Sequence, residues 1–320
     1  VRPGLSRRRG RIGGPVDPAA RSTRRSGELG GYGARVLDDR RLGWGLAALG
    51  MLLVSTDSLF VRLAEAGAVD MAFLVSACSL PVFLVLHRRL EAARPRPSLA
   101  EQGWPLLGVG ALAAISQLAF ITAVTRTAVA NVVVIVAAAP VAAAVVARIL
   151  LGERTTPRVW AAIAVTTIGI MVVVTGSLGQ PTLDGDLLAV VAIVAFAFSL
   201  TIWRRHPELS RYLGLALASA ITLVITAPLT SLTSLEPRTF AAAAAMGLVF
   251  SPAGRIAHSS APRYAPAAEV ALFAPVETVA ATTWAWLAFA EAPESTAVAG
   301  GVIIIAGVFY GTFASGGSRR

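Results

Sequence analysis

Ten stretches of this chain run apolar for about 18 residues or more with hardly a charge between their ends, long enough to cross roughly 30 Å of hydrocarbon as a helix. Hydropathy places them at Leu42–Val61, Val69–Leu86, Pro105–Val124, Ala128–Leu151, Val159–Thr175, Leu183–Trp203, Tyr212–Thr230, Phe240–Ala257, Pro266–Phe289 and Ser295–Phe313. In lipid every backbone N–H and C=O must find its partner within the chain, which leaves helices or a closed barrel. Barrel strands alternate apolar and polar residues over about ten positions, and "VVVIVAAAPVAAAVV" does not alternate. The composition agrees: 55% of residues are hydrophobic and 14% charged, against about 25% charged in a soluble domain. The expectation is an all-α integral membrane protein with ten transmembrane helices.

The net charge of +10 would suit a nucleic-acid binder, but its distribution argues for a membrane topology. Every basic residue is Arg, and eleven of the 28 precede Leu42. Residues 1–41, rich in Arg, Gly, Ser and Pro, read as a disordered basic arm on the cytoplasmic side, or as an over-extended start of the reading frame. The arm is too long for a cleavable signal peptide. With it inside and the spans alternating, 25 arginines fall in inner segments or their flanks, and only Arg62, Arg126 and Arg238 fall outside. That bias predicts an even number of spans, with both termini cytoplasmic in the cell membrane. Residues 314–320 form a short cytoplasmic tail.

Displacing the chain on itself by 138 residues brings the segment from Thr127 onto the segment from Ala265. Glu153 then meets Glu291, and Gly169 meets Gly307. The fourth span maps onto the ninth and the fifth onto the tenth, so residues 42–175 and 183–313 read as two five-helix units. Because five is odd, the units enter the membrane with opposite sense. Inverted repeats of this kind carry a site near the midplane between the halves and expose it alternately to either side.

Several polar residues stand where lipid is expected. Glu277 is near the centre of the ninth span, beyond snorkelling reach of water, and an ionised carboxylate there costs about 2.5–3.5 kcal/mol on insertion scales. It is the leading candidate for a substrate or proton path. Asp57 is read nearer the outer end of the first span, within reach of water and beside Ser55, Thr56 and Ser58. Asn131 and Gln117 are candidate cavity liners or interhelical hydrogen-bonding pairs. Glu269 aligns with Asn131 across the repeat, and Trp284 is a candidate stacking surface for a ligand or an interfacial anchor. Arg255, three residues inside the eighth span, is expected to snorkel to the inner interface. Cys78, the single cysteine, is expected to pack as a small apolar residue, and Gly307 with Gly311 to admit a neighbouring helix.

"TAVANVVVIVAAAPVAAAVVARILLGERTTPRVW" and its partner in the second half resemble the paired EamA-type domains of the drug/metabolite transporter superfamily. There a helix with a mid-span Pro ends in a Gly-Glu step and a further helix closes each repeat. The resemblance covers about residues 42–313. It implies a central cavity lined by the first four helices of each half, with the fifth and tenth as peripheral struts. Glu277, Trp284, Trp286 and Glu291 fall at spacings found in some members. Thr282 stands where those members have Pro, and Ala290 where they have Gly.

The three histidines, His87, His206 and His258, are read near inner loops. Without a Cys/His metal spacing, a Gly-x-Ser-x-Gly elbow or a phosphate loop, an enzyme is disfavoured, and no cofactor or metal is expected. The reading is a secondary transporter of a small metabolite working by alternating access, with Glu277 the candidate for proton coupling. An ion channel or a non-transporting membrane receptor or assembly protein is the alternative. Expected partners are a small-molecule substrate and the lipid bilayer, with no nucleic acid; a second copy of the chain is a further candidate.

Overall fold

The computed structural model describes residues 38–91, 99–175, 182–290 and 292–312. No strand occurs among them. Among the described residues, nine helices are long and apolar enough to cross a membrane: α1 Asp38–Ala64, α2 Ala68–Glu91, α3 Gly103–Arg126, α4 Ala130–Leu151, α6 Leu183–Arg205, α7 Arg211–Leu229, α8 Pro237–Arg263, α9 Ala267–Phe289 and α10 Ser295–Thr312. Between α4 and α6 lies the shorter apolar helix α5, Pro157–Val173. The chain is a multi-pass helical membrane protein. Residues 1–37 of the basic arm, the tail and Glu291 lie outside the described residues; residues 38–41, read as the end of the arm, instead open α1.

Side chains too apolar for a water-facing surface stand on the outside of the bundle, among them Ile149 at 74%, Leu183 at 88% and Val302 at 66% exposure. Lipid is the solvent for such a surface. Inside, small residues let helices approach. The largest core cluster joins Trp44, Ala47 and Met51 of α1 to Ala143 and Ala147 of α4, Ala197 of α6, and Val270, Ala271 and Leu272 of α9.

Two helices are broken by proline. Pro140 has no N–H to give to the carbonyl of Val136, and α4 opens at Ala137–Ala138 before resuming at Ala139. Pro275 likewise leaves the carbonyl of Ala271, and α9 opens at Leu272–Phe273 before resuming at Ala274. A π-helical turn at Met246–Phe250 precedes Pro252 in α8, with the N–H of Ser251 reaching back to the carbonyl of Met246.

Two helix ends extend beyond the hydropathy estimate. The first helix continues past Val61 to Ala64, closed by Glu65 in the left-handed conformation at φ 49°. The eighth continues past Ala257 to Arg263 because its hydroxyl-rich end is still helical. Ser259 and Ser260 both donate to the carbonyl of Ile256, satisfying within the helix groups that hydropathy counts as polar loop. Both extensions move a charged residue deeper than the sequence suggested.

The helices pack within the compact unit Arg41–Arg320. Helix α5 runs along α10, α3 along α6 and α7, α2 along α7, and α4 against α6 and α9. On the other side α8 packs against α1 and α2, and α9 against α1 and α10. Gly307 and Gly311 of α10 lie against Thr166 and Ala162 of α5, so this pair of glycines serves packing inside the chain.

Candidate functional site: a cavity with a buried charge cluster

A cavity of about 290 Å³ lies among α1, α3, α4, α6, α7, α8 and α9. The helix breaks shape its wall, for Val136 and Ala139 flank one break and Ala274 follows the other, and all three line the space. Glu277 lines it too, as an acidic residue in the first turn of the helix that restarts at Ala274. The free N–H groups at such a start carry partial positive charge, which favours a carboxylate there. In α9 it is the eleventh of 23 residues, the mid-membrane position that hydropathy assigned to it.

Arg255 of α8 reaches the same space and donates from Nη1 to Oε1 of Gln117 on α3 at 3.0 Å. Its guanidinium interacts electrostatically with both Asp57 and Glu277. This corrects the snorkelling expectation. Since α8 runs on for eight residues after Arg255, the side chain is held in the bundle by its bond to Gln117, within the field of two acids. Helix α1 likewise runs on for seven residues after Asp57, whose Oδ1 is buried and accepts no hydrogen bond from the described residues.

The rest of the wall is mostly apolar, with aromatic rings at Phe120, Phe196 and Trp203 and hydroxyls at Ser116, Ser199 and Ser259. His258, one turn after Arg255, also lines the cavity rather than an inner loop. It is 9% exposed and its ring lies over Phe196, with centroids 5.6 Å apart and 21° between planes. Neither ring nitrogen has a hydrogen-bond partner among the described residues.

Asp57 is not itself among the residues lining the cavity, and three further candidates from the sequence also stand outside it. Glu269 is buried in the packed start of α9 and accepts the indole N–H of Trp44 at 2.9 Å. Asn131 is buried near the start of α4 and donates to Thr127 Oγ1 at 3.4 Å, which in turn donates to Asp186 at 3.1 Å. Trp284 donates to Ser55 Oγ at 2.8 Å, joining α9 to α1. All three act as interhelical ties in this arrangement. Among the described residues no cluster of three or more metal-ligating side chains occurs.

Arg255 and His258 were missed as cavity residues for one reason: both sit beyond the point where hydropathy ended the eighth helix or close to it. Their spacing, with Ser259 one residue further, puts them on one helix face once that helix is known to continue. Asp57, Gln117, Arg255 and Glu277 come from four helices, and no local pattern joins them.

No curated protein matches this chain. A solved crystal structure of a protein, 16% identical in sequence, aligns with a TM-score of 0.73 over 85% of this chain and 99% of its own. At that identity the likeness concerns fold alone. The model of the EamA-like transporter family matches residues 41–175, the stretch that supplies Asp57, Gln117 and both sides of the α4 break. Residues 41–175 are thus similar to the EamA-like transporter family.

Proposed function

We propose that the chain is a secondary transporter that carries a small metabolite across the cytoplasmic membrane by alternating access, with both termini in the cytoplasm. The observation that carries the reading is the cavity itself, lined by residues of both halves of the sequence, with Arg255 and the mid-helix Glu277 in its wall. Charges are kept at such depth where a path for a polar solute or a proton needs them. EamA-like proteins form a transporter family rather than an enzyme family.

An inverted relation between residues 42–175 and 183–313 is part of this proposal. Exchanging each helix for the one five places away carries several packed pairs into one another: α1·α8 becomes α6·α3, α1·α9 becomes α6·α4, α2·α8 becomes α7·α3, and α2·α7 and α5·α10 are unchanged. Helix landmarks repeat at the 138-residue displacement, since Val129 and Ala267 open helices, Gly152 and Ala290 close them, and Pro157 and Ser295 open the next. The two breaks do not keep that displacement, lying 135 residues apart, so the halves differ near the cavity.

Contacts draw the helices together at each end. On the proposed inner side Arg204 bonds Glu153 at 2.9 Å and the carbonyl of Pro262 at 3.1 Å. On the proposed outer side Trp284 bonds Ser55, and Arg62 lies over Phe289 at 4.3 Å. A channel would hold a continuous pore. A carrier opens one end at a time.

The test is thiol labelling in membrane vesicles of both orientations, with Cys78→Ala removing the native thiol and Ser199→Cys placing one in the cavity wall. Reaction with a membrane-impermeant maleimide from either side, accelerated from the cytoplasmic side by Arg204→Gln, is the expected result. Reaction confined to one side in both backgrounds would refute alternating access. Steady unitary currents in a planar bilayer would establish a channel. If alternating access holds, Glu277→Gln is expected to flatten the pH dependence of substrate uptake.

A further inference from the structure

The charges at the cavity do not balance. Two carboxylates, Asp57 and Glu277, face one guanidinium, Arg255, and that guanidinium spends one of its N–H groups on the neutral Gln117. His258 does not supply a second pairing, since neither of its ring nitrogens bonds to a described residue. With both acids ionised the cluster carries one negative charge in excess, in surroundings where an uncompensated charge is costly. Asp57 Oδ1 is a buried acceptor for which the described residues offer no donor.

The rest of the wall is aromatic and largely apolar. Phe196 and His258 lie nearly parallel, and Phe120 and Trp203 add further ring surface. Aromatic faces attract cations as well as flat apolar bodies, at about 0.5–2 kcal/mol for a well-placed cation. At about 30 Å³ per water the cavity of about 290 Å³ has room for about ten waters, which limits the occupant to a small solute.

The geometry points to this cavity as a binding site for a small aromatic amine, its protonated nitrogen held by the Glu277 carboxylate in the wall, with Asp57 adding negative charge nearby, and its ring against Phe196 and His258. A primary ammonium brings three donors and one positive charge, matching the excess negative charge. A free carboxylate on the ligand works against binding. The one cation available to it, Arg255, already stands between two acids and Gln117. The site therefore selects an amine over the amino acid of the same ring and over the corresponding organic acid. His258 tunes the choice by offering ring nitrogens to any heteroatom that the aromatic body carries.

This inference rests on the transport reading and names its substrate class. The test uses the purified full-length protein in detergent, with tryptamine, tryptophan and indole-3-acetate as probes at neutral pH, followed by thermal shift and calorimetry. Tryptamine is expected to raise the melting temperature in proportion to the logarithm of its concentration once the site saturates, and the other two are not. Glu277→Gln is expected to weaken tryptamine by about tenfold or more, the usual loss for a hydrogen bond to a charged group. Asp57→Asn is expected to act in the same direction, which keeps the test open if one variant folds poorly. Binding of tryptophan or indole-3-acetate as tight as that of tryptamine would overturn the proposal, as would tryptamine binding that both variants leave unchanged. Absence of tryptamine binding while the Ser199→Cys probe still reacts from both sides would remove the amine selectivity and leave alternating access standing.

Discussion

Gly300 of α10 faces the carbonyl of Gly169 in α5 so closely that a methyl group on its Cα would stand 2.5 Å from that oxygen. The relation is close to reciprocal. A Cβ on Gly169 would meet the Gly300 carbonyl at 2.9 Å, and one on Gly307 would meet the Thr166 side chain at 2.8 Å. Backbone cannot retreat as a flexible side chain can, so the two helices must separate to admit even alanine. Gly300→Ala is expected to lower stability by about 1–3 kcal/mol, the usual cost of overpacking. Gly301→Ala next to it is the control, since its Cβ would meet nothing nearer than Val279 at 3.6 Å. Thermal melting of both variants in one detergent makes the comparison, and equal losses would mean that the α5–α10 contact is looser than described.

Ala290 closes α9 with φ 56°, in the left-handed region that Gly152 occupies at φ 68° when it closes α4. An alanine in that conformation carries a clash between its Cβ and the backbone worth about 1–2 kcal/mol, which glycine escapes. Glycine loses about 0.5–1 kcal/mol in return through its freer unfolded chain. Ala290→Gly is therefore expected to stabilise the protein by about 0.5–1 kcal/mol, with Gly152→Ala shifting it by a similar amount in the opposite direction. Chemical denaturation of the two variants reads both signs. The left-handed turn thus forms with alanine at this position.

Hydropathy located the helices because burial in lipid is a property of long segments, and a run such as Ala128–Leu151 carries that signal whatever it packs against. Helix ends carry much weaker information. Ser259 and Ser260 are polar on any scale, yet they bond back to Ile256 and let α8 continue to Arg263. Reading them as loop made Arg255 an interfacial residue. Glu277 was recognisable because a lone acid in mid-span is expensive wherever its neighbours are. Glu269, nearer the inner end of the same span, is a candidate through its alignment with Asn131, but Trp44, 225 positions away in the chain, gives it a buried partner. Pairings at that separation are set by tertiary packing, which leaves no periodic trace.

Arg255 is the group on which the cluster depends. Its removal would leave Asp57 and Glu277 without the cation whose field reaches both and would break the bond to Gln117. A hydrogen bond to a charged group is worth about 1.5–3 kcal/mol, so Arg255→Gln is expected to destabilise the protein by about that amount, whereas Glu277→Gln keeps the guanidinium and its bond and is expected to cost much less. The double variant separates charge from packing. If repulsion between the two acids is the main penalty, adding Glu277→Gln to Arg255→Gln restores most of the lost stability, because one carboxylate then remains where there were two. If Arg255 matters mainly through its bond to Gln117, the second substitution restores nothing, since that bond is absent in either case. A double-mutant cycle on melting free energies in detergent measures the coupling directly. A coupling near zero would show that the three side chains do not act as a unit, and the functional reading built on them would fall with it.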